Sequence, residues 1–364
     1  MKIVDLCAYA PKSAIKAGEA IKDGKYIFFT SSDDESKRYS DYQHNCEAII
    51  MGTGGNATLH YYNGKFSTST DCIVLLPNES IRCKFLYYFF LHNIAVLQKG
   101  FKGAGLKHTN KNYINNIGIN TVPDIETQDK VIKALDLACN LVRFHQQQLK
   151  KLDELVKSRF IELFGDPDGN PMNWETAELE RHLEIVGGFA FKSEGFTESG
   201  IPVLRIGNIN SGHFLPVNMV FWPDDPSLAR YKMYPGDLVM SLTGTVGKDD
   251  YGNVCVLSDE YPEYYLNQRN AKLAIGATLN RHYLSEMLKF SRIKKRLTGI
   301  SRGVRQANIS NRDILALRVP IPPIKLQEQF ATFVEQTDKS KFVIQQALDK
   351  AQLLFDSLMQ KFFG

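Results

Sequence analysis

The sequence predicts an α+β chain in which two mixed α/β blocks alternate with two long α-helices. The helices pack as an antiparallel coiled coil, and the plan is pseudo-twofold. Three observations predict this. First, residues 124–165 contain neither Gly nor Pro until the last position. Apolar residues recur there every seventh position (Leu135, Val142, Leu149, Val156, Leu163), with Ala138, His145, Leu152 and Arg159 as a second row. That spacing is a coiled-coil seam on a helix about 60 Å long. Second, residues 323–364 repeat the pattern at an offset of 199 (Ile324 against Ile125). Gln128 meets Gln327, Leu149 meets Leu348 and Gly165 meets Gly364; a Pro precedes each helix (Pro123, Pro322) and Phe-Gly ends it. The copied seam reads Val334, Lys341, Leu348, Phe355, Phe362, beside Thr337, Ile344, Ala351 and Leu358. Third, the blocks before each helix carry the same features in the same order.

The first block, 1–122, opens with short strands around Val4, Leu6 and Ile27 to Phe29. Ala48 to Met51 is a buried-strand candidate, and Gly52-Thr53-Gly54-Gly55-Asn56 is a turn rich in residues that tolerate positive φ. The triplet Ser67-Thr68-Ser69 precedes a strand, Cys72 to Leu76, which Pro77 ends. A helix from Ile81 to Gln98 leads to a basic, Gly-rich loop from Lys99 to Asn110. The first long helix occupies 123–165. Gly165-Asp166-Pro167 then stops it and starts the second block, 166–322.

In that block Ile201 to Ile206, Leu238 to Leu242, Val254 to Leu257 and Ala271 to Ile275 read as strands. Thr243-Gly244-Thr245-Val246-Gly247-Lys248 matches the first block's Gly turn, Asn267-Gln268-Arg269 its polar triplet, and Gly299 to Arg305 its basic loop after a helix from Asn280 to Leu297. The second long helix occupies 323–364.

Composition narrows the function. Charged residues are 23% and apolar residues 43%, so the chain has an ordinary globular balance. No signal peptide or membrane span is expected, and the six scattered cysteines include no C-x-x-C pair, so neither a zinc site nor a disulfide framework is indicated. A reduced, cytoplasmic protein follows. The net charge of +4 says little, but Lys289 to Arg305 holds many cations and no carboxylate. Lys294, Lys295 and Arg296 read as phosphate-facing or as a solvated helix face.

Catalytic motifs are missing. Gly52-Thr53-Gly54-Gly55 lacks dinucleotide-loop spacing, and Gly244 to Lys248 lacks the phosphate-loop pattern. Asn170-Pro171-Met172 is not the Asn/Asp-Pro-Pro-aromatic string of an adenine methyltransferase, and Glu35-Ser36-Lys37 and Asp23-Gly24-Lys25 are ordinary exposed strings.

Several strings carry a resemblance. They are Pro322 to Gln329 (PPIKLQEQ), Ser357 to Gly364 (SLMQKFFG), its weaker copy Arg159 to Pro167, and Tyr234 to Val239 (YPGDLV). With the duplicated order, the whole chain resembles the specificity subunit of a type I restriction–modification system. The second block opens at Asn173-Trp174 as in that family. The first has no Trp and starts almost at Ile3, which implies a slightly trimmed entrance, and Asp124-Ile125-Glu126 replaces the usual Pro-Pro start of the first helix.

The resemblance implies two target-recognition domains (1–122 and 166–322), each reading one half of a split double-stranded DNA site. It implies two spacer helices acting as a ruler and docking a pair of methyltransferase subunits. Restriction or translocase subunits join such complexes. The subunit itself is non-catalytic and binds no cofactor; S-adenosylmethionine belongs to the methyltransferases. Host defence by DNA methylation and restriction is the implied role.

Reading DNA takes cations and hydroxyls for phosphates and Arg, Lys, Asn or Gln for base edges. The candidates in the first block are Ser31, Thr53, Asn56, Thr68, Ser69, Lys102, Lys107, His108 and Asn110. Those in the second are Asn208, Asn210, Thr243, Thr245, Lys248, Gln268, Arg269, Arg302, Arg305, Gln306 and Asn308. The competing expectation is a coiled-coil scaffold whose blocks bind proteins without reading DNA; its binding would resist salt.

Overall fold

The computed structural model describes residues 1–364 except 104–106, 211, 249 and 300–305, and leaves the side chain of Gln306 undescribed. The chain divides into two compact units, 1–147 with 345–364 and 148–344, so each takes half of both long helices.

The first unit holds α1 (Ile3–Leu6), β1 (Cys7–Tyr9), β2 (Tyr26–Phe29), β3 (Arg38–Tyr39), β4 (His44–Gly52), β5 (Leu59–Thr68), β6 (Cys72–Pro77), α2 (Cys83–His92), α3 (Ile94–Lys99), α4 (Lys111–Asn115) and the start of α5 (Ile125–Phe164). Its six strands form one sheet in the order β1-β6-β4-β5-β2-β3, antiparallel except where β2 runs parallel to β5. Side chains alternate across a strand. Ile49 and Met51 of β4 therefore join Ile73 and Leu75 of β6 in the core under α1 and α2. Ala48 and Ile50 join Cys72 and Val74 on the opposite face. Both faces are covered, which is why these strands read as continuous apolar runs.

The second unit holds β7 (Thr176–Glu178), β8 (Leu183–Gly187), β9 (Ile201–Leu204), β10 (Phe221–Trp222), β11 (Lys232–Met233), β12 (Leu238–Ser241), β13 (Thr243–Thr245), β14 (Val254–Val256), β15 (Tyr264–Leu266), β16 (Asn270–Ile275), α6 (Arg281–Lys289), α7 (Ser291–Thr298), β17 (Gln306–Asn308), α8 (Asn311–Leu315), β18 (Arg318–Pro320) and the start of α9 (Ile324–Phe363). Four strands run β14-β12-β16-β8, the same pairing plan as β5-β4-β6-β1. A second sheet, β10-β9-β15-β11, sits beside it, with Leu204, Val239 and Tyr264 sharing one core.

The expected helices 81–98 and 280–297 are each two helices. α2 breaks from α3 at Asn93, and α6 breaks from α7 at Phe290, whose φ of −63° and ψ of 127° leave the helical region. The expected strand at Val4 and Leu6 is instead α1. Ile3 and Leu6 are buried while Val4 is 52% exposed, a helical spacing. The ten-residue β5 escapes the sequence reading because Asn63-Gly64 interrupts it, Gly64 at φ +141°.

Each long helix is forty residues, again at the 199 offset. Their seams are buried or half-buried throughout. In the first unit Val131 and Leu135 pack with Met359 of α9, and Phe363 meets Phe85 edge-on at 5.1 Å. In the second unit Phe160 stacks on Tyr283 at 5.4 Å and meets Phe330 edge-on, while Lys341 reaches Asp153 at 2.8 Å. Residues 153 to 160 thus face 341 to 330, an antiparallel pairing. Lys341 is a polar member of the seam held across it. Burial alone pulls its pKa down, but the bond and charge of Asp153, aided by Asp338 and Glu286, outweigh burial and leave it raised.

One feature of the duplication is chemical. Gln128 is fully buried; its Oε1 accepts from Arg82 N at 2.7 Å and its Nε2 donates to Ser80 O and Pro123 O. Gln327, also fully buried, accepts from Asn280 N at 2.9 Å and donates to Thr278 O and Pro322 O. Arg82 and Asn280 are the N-caps of α2 and α6. Each long helix is therefore clasped to its own unit by the same glutamine. Beside each clasp a basic side chain meets an acid: Lys84 with Asp136 at 2.7 Å, His282 Nε2 with Glu335 at 3.5 Å. Burial holds the His282 pKa below its usual value.

Candidate nucleic-acid interface

In the first unit the Gly turn is tied down from three sides. Ser31 Oγ and Thr53 Oγ1 both donate to Asp71 O, at 2.6 and 3.0 Å, and Thr53 N donates to Ser31 Oγ at 3.3 Å. The basic loop closes on itself where Lys102 and His108 exchange two backbone bonds of 3.0 Å. It then lands on the turn: Gly55 N donates to Lys107 O and Thr109 N to Thr53 O. Lys102, Lys107 and His108 are left exposed around Ser31 and Thr53. Asn56 is exposed at the same turn.

The second unit repeats the arrangement as a sheet. β13 pairs antiparallel with β17, Thr243 opposite Asn308, and Ile309 N donates to Leu242 O at 2.8 Å. Asp250 Oδ1 accepts from Thr245 N at 2.8 Å, and that bond above all lowers the Asp250 pKa. Gly244 is required here, because a Cβ would strike the Asp250 carboxylate and the Tyr251 ring. Lys248 is exposed at the turn, its N–H donating to Thr245 O. Asn210, Thr243, Thr245, Asp250 and Arg269 line one cleft of about 500 Å³. Gln268, Arg269 and Asn208 border a second.

Some expected contact residues have other work. Thr68 and Ser69 are 1% and 0% exposed, and Thr68 N donates to Gln43 Oε1 at 3.0 Å. Asn208 is 1% exposed; its amide donates to Leu215 O and Val217 O and its oxygen accepts from Arg205 N. Thr68 and Ser69 shape the loops rather than line a surface, and Asn208 holds its own loop while bordering the second cleft. Asn110 is exposed, but its Oδ1 accepts from Tyr113 N as the cap of α4. Lys294, expected on a solvated or phosphate-facing face, is 8% exposed, and Arg296 is paired with Asp168 at 3.1 Å. Arg302, Arg305 and the Gln306 side chain lie outside the described residues. Sequence reading set Lys37 aside as part of an exposed string, but it is half-buried and its Nζ donates to Thr30 Oγ1 and Ser32 Oγ. It passed over Asn253, in contact with Asn210, which nothing in the local sequence marks.

Among the described residues no group of three or more His, Cys, Asp or Glu could hold a metal ion. No helix among them is long and apolar enough to cross a membrane.

A family model described as type I restriction modification DNA specificity domain matches residues 1–154 and 171–352. The chain is 25% identical over 312 residues to the type I restriction enzyme MjaVIII specificity subunit of Methanocaldococcus jannaschii, covering 80% of this chain and 72% of that one. It is 22% identical over 389 residues to the EcoKI specificity subunit of Escherichia coli, covering 98% and 77%. A crystal structure of a type I restriction–modification system S subunit from M. genitalium matches its fold with a TM-score of 0.67 at 15% identity, across 100% of this chain and 95% of that one. Two matched segments that together span most of the sequence establish that the chain belongs to the type I restriction modification DNA specificity domain family.

Proposed function

We propose that the chain is the non-catalytic DNA-specificity subunit of a cytoplasmic type I restriction–modification complex. Each unit reads one half of a bipartite site, and the paired helices set the spacer and dock two methyltransferase subunits, to which restriction subunits can be added. The observation that carries this is the repeated glutamine clasp. It joins each forty-residue helix rigidly to a unit that carries its own basic loop and Gly turn. The names of the relatives point the same way. Single-molecule methylome sequencing of cells carrying the chain with its partner methyltransferase tests it. A methylated motif in two halves with a fixed gap is expected; a continuous motif, or none, overturns it.

Binding through exposed cations should fall steeply with salt, since each phosphate neutralised releases about 0.9 counterion. Lys102→Ala with Lys107→Ala removes two such contacts. The slope of log K against log salt should flatten by about 2, with the loss shared across sequences. An unchanged slope in a DNA-binding titration would remove these lysines from the interface.

Two equivalent docked subunits need two equivalent surfaces. Phe144 is 54% exposed and its counterpart at the 199 offset, Val343, 63%. Leu155 and Leu354, also at that offset, are each 48% exposed. The first unit carries Phe144 and Leu354, the second Leu155 and Val343, so each presents one residue of either pair. Exposed apolar side chains on helices with a satisfied seam suit a partner. The double variant Phe144→Asp, Val343→Asp should weaken methyltransferase association at least about thirtyfold, the scale of an interface hot spot. Melting of the chain alone should stay near that of the parent. Co-purification at unchanged affinity would place the docking surface elsewhere.

A further inference from the structure

Lys294 lies on α7 among Arg292, Lys295 and Arg296, yet it turns inward. Its Nζ donates to Asn253 Oδ1 at 2.7 Å. Asn253 Nδ2 donates to Asn210 Oδ1 at 3.3 Å, and Asn210 Nδ2 donates to Asp250 O at 2.7 Å. An ammonium has donors and no acceptor, so the Asn253 oxygen must face it. The Asn253 amide nitrogen then faces Asn210, which must turn its own oxygen toward Asn253 and its NH₂ toward Asp250. An isolated amide could rotate by half a turn with little change in shape, exchanging donor for acceptor. The buried cation at one end of the row and the Asp250 carbonyl at the other, which can only accept, together remove that freedom.

Asn210 lines the cleft with Thr243, Thr245, Asp250 and Arg269. Its NH₂ has a second hydrogen, and the described residues offer it no partner beyond Asp250. Thr243 Oγ1, at the same cleft, is buried and unpaired. Arg269 is exposed at the rim. Asn210, Thr243 and Arg269 thus offer donors at this cleft.

We propose that Lys294 is a positioning residue for base reading: through Asn253 it holds Asn210 as a donor, so that the cleft selects a base edge presenting an acceptor, such as a purine N7 or a carbonyl oxygen in the major groove. The inference rests on the second unit's reading one DNA half-site. It assigns one position of that half-site to one residue and explains a buried lysine beneath the cleft.

Two substitutions separate positioning from folding. Lys294→Met removes the cation and frees the Asn253 amide to rotate, which leaves Asn210 held from the Asp250 side alone. Asn253→Asp keeps an acceptor for Lys294, now as an ion pair, but accepts from Asn210 instead of donating to it. The Asn210 amide then turns over toward the carboxylate, gives up its bond to the Asp250 carbonyl and offers its oxygen to the cleft. Methylated motifs are read from cells carrying each full-length variant with the partner methyltransferase, and melting is measured on the purified chains. Lys294→Met should relax selectivity at one position of one half-site by about fivefold or more, the scale of one mismatched pair. Asn253→Asp should shift the preference there toward a base with an exocyclic amine in the major groove, adenine or cytosine. The other half of the motif should stay as it is, and Asn253→Asp should still melt cooperatively, about 2–4 °C below the parent for the one hydrogen bond lost.

A folded Asn253→Asp chain that yields the parent motif overturns the proposal, as does relaxation of both halves together. A parent chain that yields no bipartite motif overturns the DNA reading itself, which is a different outcome.

Discussion

Replacing Gln327 with alanine should destabilise the second unit by about 3–5 kcal/mol. The side chain is fully buried and makes three hydrogen bonds, one accepted from Asn280 N and two donated to Thr278 O and Pro322 O. Alanine leaves one N–H and two carbonyls without that partner, at about 1–3 kcal/mol for each buried group left unsatisfied, and adds a small cavity. Water entering the cavity would recover part of the loss, which is why the estimate lies below the sum. Against a typical total of about 5–15 kcal/mol, the unit becomes marginal. Hydrogen exchange is the suitable measurement, because it reads the two units separately where a single melting curve would not. Protection should collapse in α6 and the start of α9 and persist in the first unit. Gln128→Ala should do the reverse. Equal loss in both units would mean that the clasps are not local.

Gln327→Glu adds a sign to the test. A carboxylate there can accept from Asn280 N but faces two carbonyl oxygens, so the folded state favours the protonated form. Its folded pKa therefore lies above the unfolded value of about 4.3. Stability is retained below that value and lost as pH rises through the folded pKa. The variant should be more stable at pH 4 than at pH 7.

Deleting Gln146–Leu152 together with Gln345–Ala351 should abolish recognition of the parent spacer. The two segments are matched at the 199 offset and avoid Asp153, Lys341 and the exposed Phe144, Val343, Leu155 and Leu354. One heptad keeps the seam in phase, with about 20° of residual rotation, so both helices still fold. It shortens each by about 10 Å, the length of about three base pairs. Three base pairs also turn the duplex by about 100°, since a full turn takes about 10. The deletion cannot follow that rotation. Affinity for the parent site should fall at least about tenfold, and the best new spacer should be shorter by about three pairs and weaker. A binding selection on a pool with every spacer length reads both. An unchanged optimum would end the ruler proposal.

The long helices were legible because their signal is dense. Forty residues without Gly or Pro, with seven-residue spacing and a second copy, leave few other structures. The Gly turns and basic loops were legible as pairs for the same reason; the structure joins the first pair through Thr53 with Thr109, and in the second unit joins the turn to the residues that follow the loop, Leu242 with Ile309, while 300–305 lie outside the described residues. Short elements were not. Val4 and Leu6 alternate like a strand, but a four-residue pattern cannot distinguish period 2 from a helical turn, and the burial of Ile3 with Leu6 decides it. Among the contact candidates, residue type was a poor guide. Thr68, Ser69 and Asn208 have the same chemistry as their exposed neighbours, and only their partners show that they hold loops in place.

What the sequence by itself determined is the duplicated plan: two blocks, two seams, one offset. Periodicity is a property of the chain, and the apolar residues that carry it must be buried wherever the helix goes. What only the tertiary structure decided is the direction in which polar groups face. Gln128 and Gln327 could be aligned without knowing that each caps a distant helix, and Lys294 in a run of cations looks like any other. A hydrogen bond depends on ångström distances between residues remote in sequence, and no local pattern encodes them.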